Sequence, residues 1–281
     1  MIKRSIPNFI TCLNLFCGCL AVVAAFHEQI IWSVYLIGAA AVFDFFDGLV
    51  ARLLKAYSPI GKDLDSLADI VSFGVAPGVI LFQMITIGFD SYAIPLFDRS
   101  PQVLALSSTG FLVTVFGAIR LAKFNIDERQ STSFLGLPIP ASGIFIASFI
   151  PILVWEHNLN IYNPPTQETL NHLREFFYFN DFDIASTELL FNPWFYISVS
   201  VVNSLLMVSE IPLFAMKFKN IKSKENIIRF LFILLSLWLL YEYELIGIPF
   251  IIILYVLLSL IDLLIKKITN HTNQSTNEIQ S

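Results

Sequence analysis

Apolar runs of about 20 residues recur along this chain, the length a helix needs to cross a bilayer core of roughly 30 Å. The runs 8–27, 31–55, 65–88, 101–123, 137–156, 193–215, 227–242 and 245–265 are apolar on most faces. A backbone in lipid must satisfy its own hydrogen bonds, which leaves helices for runs of this kind. The expected fold class is all-α: a polytopic transmembrane helix bundle of about eight helices, a six-helix core plus two. The count is least fixed at helices 7 and 8, which are short and separated by Tyr241-Glu-Tyr-Glu244. Composition agrees: 56% of residues are hydrophobic and 14% charged, with a mean hydropathy of +0.71. Soluble domains rarely run so apolar. Met1-Ile-Lys-Arg leads into the first run without a small-x-small cleavage site and reads as a retained helix.

Basic residues orient the bundle. With both termini cytoplasmic, all of the 17 Lys and Arg residues except Arg99 and Arg174 fall inside, Arg129, Lys217, Lys219, Lys222 and Lys224 among them. The net charge of −5 adds little, because topology follows Lys and Arg placement. The expected setting is a bacterial-type inner membrane, with residues 1–268 as one transmembrane domain. Residues 157–192 form an outer loop rich in aromatics (Phe176, Phe177, Tyr178, Phe179, Phe182) that can lie along the interface. Residues 269–281 are polar and expected to be disordered. Cys12, Cys17 and Cys19 share the first helix without a CxxC pair and read as small packing residues.

Against this apolar background, residues 44–69 carry four acids in a fixed frame: Asp44-x2-Asp47-Gly48-x2-Ala51-Arg52-x8-Gly61-x3-Asp65-x3-Asp69. Asp44 and Asp47 share one helical face, as do Asp65 and Asp69. Pro59 and Gly61 are placed in the link, so that a hairpin aims both pairs at one point. Converging carboxylates repel one another unless hard cations sit between them, which points to Mg²⁺ or Mn²⁺ with oxygen ligands. Two such ions about 4 Å apart are a known device of phosphoryl chemistry. Gly48 and Ala51 remove bulk where a flat base or a diphosphate can approach. Arg52 can brace an acid or face a phosphate through its planar fork. A lone Asp at a helix end is as readily a solvated cap; the full frame is much harder to explain that way.

The frame resembles the signature of the CDP-alcohol phosphatidyltransferase family, at every fixed position. The resemblance implies an integral membrane enzyme that moves a phosphatidyl group from a CDP-lipid to an alcohol and releases CMP. It implies that Asp44, Asp47 and Asp65 hold the metals. It implies that Asp69 helps hold one and takes the acceptor's proton, and that Gly48, Ala51, Arg52 and Gly61 belong to the CDP-lipid site. A homodimer is implied too, and no nucleic-acid partner.

The frame does not name the acceptor. Asp65 to Gly78, Pro7-Asn8-Phe-Ile-Thr11-Cys-Leu-Asn14, Arg120-Leu-Ala-Lys123-Phe-Asn125 and Phe134-Leu-Gly136-Leu-Pro138-Ile-Pro140 are similar to the membrane-integral phosphatidylserine synthases of bacteria and archaea. That resemblance covers about residues 5–145 and implies CDP-diacylglycerol and L-serine as substrates. Serine's carboxylate needs a cation, for which Arg120 and Lys123 stand on the last turn of helix 4, with Asn125 as a further donor. Ordinary headgroup anchoring explains these bases as readily. Asn8, Thr11 and Asn14 form one stripe of helix 1 that either lines the CDP site or packs against other helices.

Two rival readings make different demands. A sibling transferase taking glycerol 3-phosphate or an inositol phosphate needs more basic groups beside the frame. A divalent-cation transporter needs acids near mid-membrane on several helices, whereas here they gather at one boundary.

Overall fold

The computed structural model of the protein describes residues 2–56, 58–126, 134–176, 180–214 and 226–280. Arg129, Lys217, Lys219, Lys222 and Lys224 of the expected basic side, and Phe177, Tyr178 and Phe179 of the expected outer loop, lie outside the described residues.

Helices α1 (Ile2–Phe26) and α2 (Ile30–Leu54) pack against each other along their length. The chain then reverses in four residues. Lys55 takes the left-handed conformation that closes α2. Ser58 caps α3 (Pro59–Asp69) by accepting the Gly61 N–H at 3.0 Å. Pro59 occupies the first turn, where its missing N–H costs nothing. Pro59 and Gly61 therefore belong to the helix rather than to the link expected from the sequence.

The span that begins at Pro59 is composite. After α3 comes a π-helical turn, Ile70–Val75, and then α4 (Ala76–Gly88). Pro77 is a local cause: it offers no N–H to the carbonyl four residues back, and its ring crowds that carbonyl. The backbone widens just before it, and the Ala76 N–H reaches Val71 O, five residues back. This span is the centre of the bundle. Of its most apolar window 83% is buried, against 33% for α1 and 17% for α2. Phe73, Ala76, Ile80, Met84 and Ile85 carry the core there. Helix α1 approaches it most closely at Gly18, where a Cβ would lie 2.4 Å from Ser72 Oγ. The Ser72 hydroxyl donates to Asn14 O at 2.9 Å, joining the two elements.

Helix α5 (Pro101–Ser108), a 3-10 turn and α6 (Leu112–Ile126) make the next span. Strand β1 (Phe134–Leu135) follows and pairs antiparallel with β2 (Pro212–Leu213). Gly136 leaves that ladder at φ +71, and a Cβ on it would lie 2.4 Å from Met207 O, so the position requires glycine. Helices α7 (Ile139–Ala147) and α8 (Phe149–Pro151) and a second π-helical turn, Ile152–Glu156, complete the fifth span. Helices α9 (Gln167–Phe176) and α10 (Asp181–Phe191) occupy the expected outer loop, with α11 (Pro193–Val208) after them. Helices α12 (Ile227–Tyr243) and α13 (Gly247–Gln280) end the chain.

The protein is an all-α polytopic bundle. Among the described residues, 6 helical spans are long and apolar enough to cross a membrane, or 7 if α10 and α11 count as one span bent by 74°. The two missing from the expected eight have local reasons. Helix α11 has 16 residues and gives way to β2. Helix α12 has 17, at the lower limit of what a bilayer core requires. Residues 269–280, expected as a disordered tail, continue α13 as helical backbone; no proline or glycine after Pro249 interrupts it.

Alternating spans bring the start of α1, the end of α2, the start of α3 and the end of α6 to one end of the bundle. Phe26, Glu28, Tyr92 and Arg99 lie together at the other.

Candidate functional site

The short, capped reversal between α2 and α3 is what brings the acid pairs together. One carboxylate oxygen from each of Asp44, Asp47 and Asp65 lies within 4.8 Å of the other two. Asp47 is buried, and Asp44 and Asp65 are half-buried. Asp69 lies one turn beyond Asp65 and is 8% exposed. Its carboxylate takes the Asn14 amide at 3.4 Å and lies within hydrogen-bonding reach of Asp44. Four acids so placed, walled by apolar helices, have little water to spread their charge.

Helix α1 supplies the neutral polar partners. The Thr11 hydroxyl lies 2.6 Å from Asp47 Oδ2 and 3.1 Å from Pro7 O. It has one proton, which serves the shorter, charge-assisted bond. Asn14 is fully buried; its amide N–H points to Asp69 and its Oδ1 has no partner among the described residues. Thr11 and Asn14 of the helix-1 stripe are thus in direct contact with the acids, whereas Asn8 stands against Gly61.

A cleft of about 210 Å³ opens beside the cluster, its lining including Asn8, Thr11, Asp47, Gly48, Ala51, Gly61, Lys62 and Asp65. A Cβ on Gly48 would meet nothing within 4 Å. The space in front of that backbone is therefore open. Gly61 has another reason to be small: a Cβ there would lie 2.9 Å from Asn8 Oδ1. Arg52 is exposed and is not among the residues lining the cleft.

The three residues expected at the acceptor end do not converge. Arg120 is 7% exposed, stacks its guanidinium 5.5 Å from the Phe124 ring centroid, and feels the charge of Asp69. Its Nε is buried without a hydrogen-bond partner among the described residues. Lys123 is exposed. Asn125 is turned to α3, donating to Ser66 Oγ at 3.0 Å while its carbonyl accepts from Lys62 Nζ at 2.9 Å.

The donor set fits a hard divalent cation. Three carboxylates within one ion's reach, in a half-buried setting with no ion-pairing base on them among the described residues, are what Mg²⁺ or Mn²⁺ takes. Asp44, Asp47 and Asp65 are the residues that would hold it.

The fold and the cluster together define a multi-pass membrane protein with a carboxylate site of the divalent-cation type. Residues 4–172 match the CDP-alcohol phosphatidyltransferase family, and the chain belongs to that family of enzymes. It is similar to the CDP-diacylglycerol–serine O-phosphatidyltransferase of Bacillus subtilis, at 37% identity over 153 residues, 53% of this chain and 79% of that one. The protein of the same name from Helicobacter pylori strain J99 is 37% identical over 142 residues, 50% of this chain and 54% of its own. The archaetidylserine synthase of Methanothermobacter thermautotrophicus is 31% identical over 147 residues, 52% and 57% of the two chains. This chain thus spans about half the length of the latter two.

Proposed function

We propose that the protein transfers a phosphatidyl group from CDP-diacylglycerol to the hydroxyl of L-serine, giving phosphatidylserine and CMP. The observation that carries this reading is the open backbone of Gly48, facing a cleft that adjoins the three converging carboxylates. Bound Mg²⁺ or Mn²⁺ would supply neutralisation of the diphosphate and of the leaving CMP. In this reading Asn8, Thr11, Gly48, Ala51 and Gly61 receive the cytidine diphosphate, with Arg52 near the headgroup layer.

Asp69 takes the proton of the serine hydroxyl as its oxygen attacks the phosphatidyl phosphorus and the bond to CMP breaks. Asn14 holds Asp69 in place through its amide. Arg120, buried with an unpartnered Nε among the described residues and within electrostatic reach of Asp69, is the cation best placed for the serine carboxylate. Exposed Lys123 assists from outside, and Asn125 acts through Ser66 rather than by direct contact. The bias of basic residues supports a cytoplasmic site in an inner membrane. The family likeness supports a homodimer, which cross-linking in native membranes would test.

The purified protein, given CDP-diacylglycerol, Mn²⁺ or Mg²⁺ and a panel of alcohols, is expected to release CMP with serine and to form phosphatidylserine. Activity with glycerol 3-phosphate and none with serine would move it to a sibling reaction. No CMP with any alcohol would end the transferase reading.

A further inference from the structure

At the end of the bundle opposite the aspartates, a cavity of about 640 Å³ with mixed polar and apolar walls is lined by residues that include Glu28, Phe82, Gln83, Tyr92, Arg99 and Tyr162. These residues come from four separate segments: the α1–α2 turn, α4, the connection to α5, and the chain after the fifth span. The walls are built. The Tyr92 and Tyr162 rings lie 4.9 Å apart. Gln83 is 4% exposed, and its amide reaches Ala25 O at 3.4 Å.

Among the described residues, the cavity holds one cation and one anion that do not pair. Arg99 donates Nε to Ile94 O at 2.9 Å and Nη2 to Tyr92 O at 3.3 Å, and its guanidinium stands 5.9 Å from the Phe82 ring centroid. All of these partners are neutral. Glu28 has no ion-pair partner among the described residues and is held at φ +60. Both charges act on the Tyr92 phenol, in opposite senses. Two unlike charges that line one cavity without pairing suit a ligand that carries both signs. Of the two, the guanidinium fork suits a phosphate, and the carboxylate suits an ammonium.

The rim says where such a ligand comes from. The loop that carries Arg99 also exposes Ile94 at 41%, Leu96 at 42% and Phe97 at 91%. Apolar side chains so exposed between two membrane spans lie in the interfacial layer rather than in water.

We infer that this cavity binds the zwitterionic headgroup of an aminophospholipid in the leaflet opposite the aspartate cluster. Its phosphate sits on Arg99 and its ammonium at Glu28. The inference is independent of the transfer reaction proposed above.

The test is native mass spectrometry of the delipidated full-length protein. The probes are dioleoyl phosphatidylethanolamine, dioleoyl phosphatidylglycerol, diolein and soluble glycerophosphoethanolamine. The first phosphatidylethanolamine is expected to bind at least tenfold tighter than diolein. Arg99→Gln, which keeps an amide donor but drops the charge, should lose that factor. Glu28→Gln should abolish the preference for phosphatidylethanolamine over phosphatidylglycerol and leave phosphatidylglycerol binding unchanged. Wild-type affinity in Arg99→Gln, or equal binding of diolein, overturns the site. Competition by glycerophosphoethanolamine as strong as by the intact lipid overturns its assignment to the membrane. Should Arg99→Gln fail to fold, exposed Glu28 decides alone: a retained preference in Glu28→Gln overturns the proposal.

Discussion

The Thr11 hydroxyl donates to Asp47 Oδ2 at 2.6 Å, tying helix α1 to the acid cluster at the end of α2. A hydrogen bond to a charged group contributes about 1.5–3 kcal/mol, or about 10- to 100-fold in an equilibrium constant.

Thr11→Val keeps the shape and removes that donor. It should raise the Mn²⁺ concentration needed for half-maximal CMP release by about tenfold or more, while Thr11→Ser stays near wild type. A metal-activation curve for the three proteins checks this. An unchanged curve for Thr11→Val would mean that the bond does not tune the metal site.

Gly48 separates stability from function. A Cβ there meets nothing within 4 Å, and Ala in place of Gly inside a helix is favourable by about 1 kcal/mol. Gly48→Ala should therefore unfold at the same temperature as wild type or slightly higher. Its KM for CDP-diacylglycerol should nevertheless rise several-fold, and more in Gly48→Val. A thermal melt alongside steady-state kinetics reads both. Unchanged KM in both variants would show that the nucleotide lies elsewhere.

Arg120 is buried with Nε unpartnered among the described residues, and it feels the charge of Asp69. Arg120→Ala should raise the serine KM by about tenfold or more, the scale of a charged hydrogen bond, and change the CDP-diacylglycerol KM far less. Equal effects on the two constants would assign the residue to packing or headgroup anchoring.

Much of the site was legible in the sequence because helical spacing is local. Three- and four-residue steps put Asp44 with Asp47, and Asp65 with Asp69, on shared faces, and the turn residues brought the pairs within reach. The partners from α1 were harder, since the Thr11–Asp47 bond joins residues 36 apart in the chain. The sequence stripe picked out Thr11 and Asn14 but not what they touch. Arg120 and Lys123 look equivalent as a basic pair, yet one faces the core and the other the surface. Hydropathy identified the spans without the π-helical turns that shape two of them, nor the 74° bend at Asn192 that separates α10 from α11. The β1–β2 contact, between residues 134–135 and 212–213, has no local signal in two-residue strands.

The division of labour among the four acids is tested most directly by Asp69→Asn, which keeps the Asn14 contact geometry and removes the carboxylate's capacity to take a proton. The measurement is CMP release at saturating CDP-diacylglycerol, divalent metal and serine, beside equilibrium binding of CDP-diacylglycerol to the same preparation. The expected result is loss of turnover with lipid binding close to wild type. Turnover above about a tenth of wild type would contradict the role of Asp69 as the base, since general-base catalysis is worth roughly 10²–10⁴-fold.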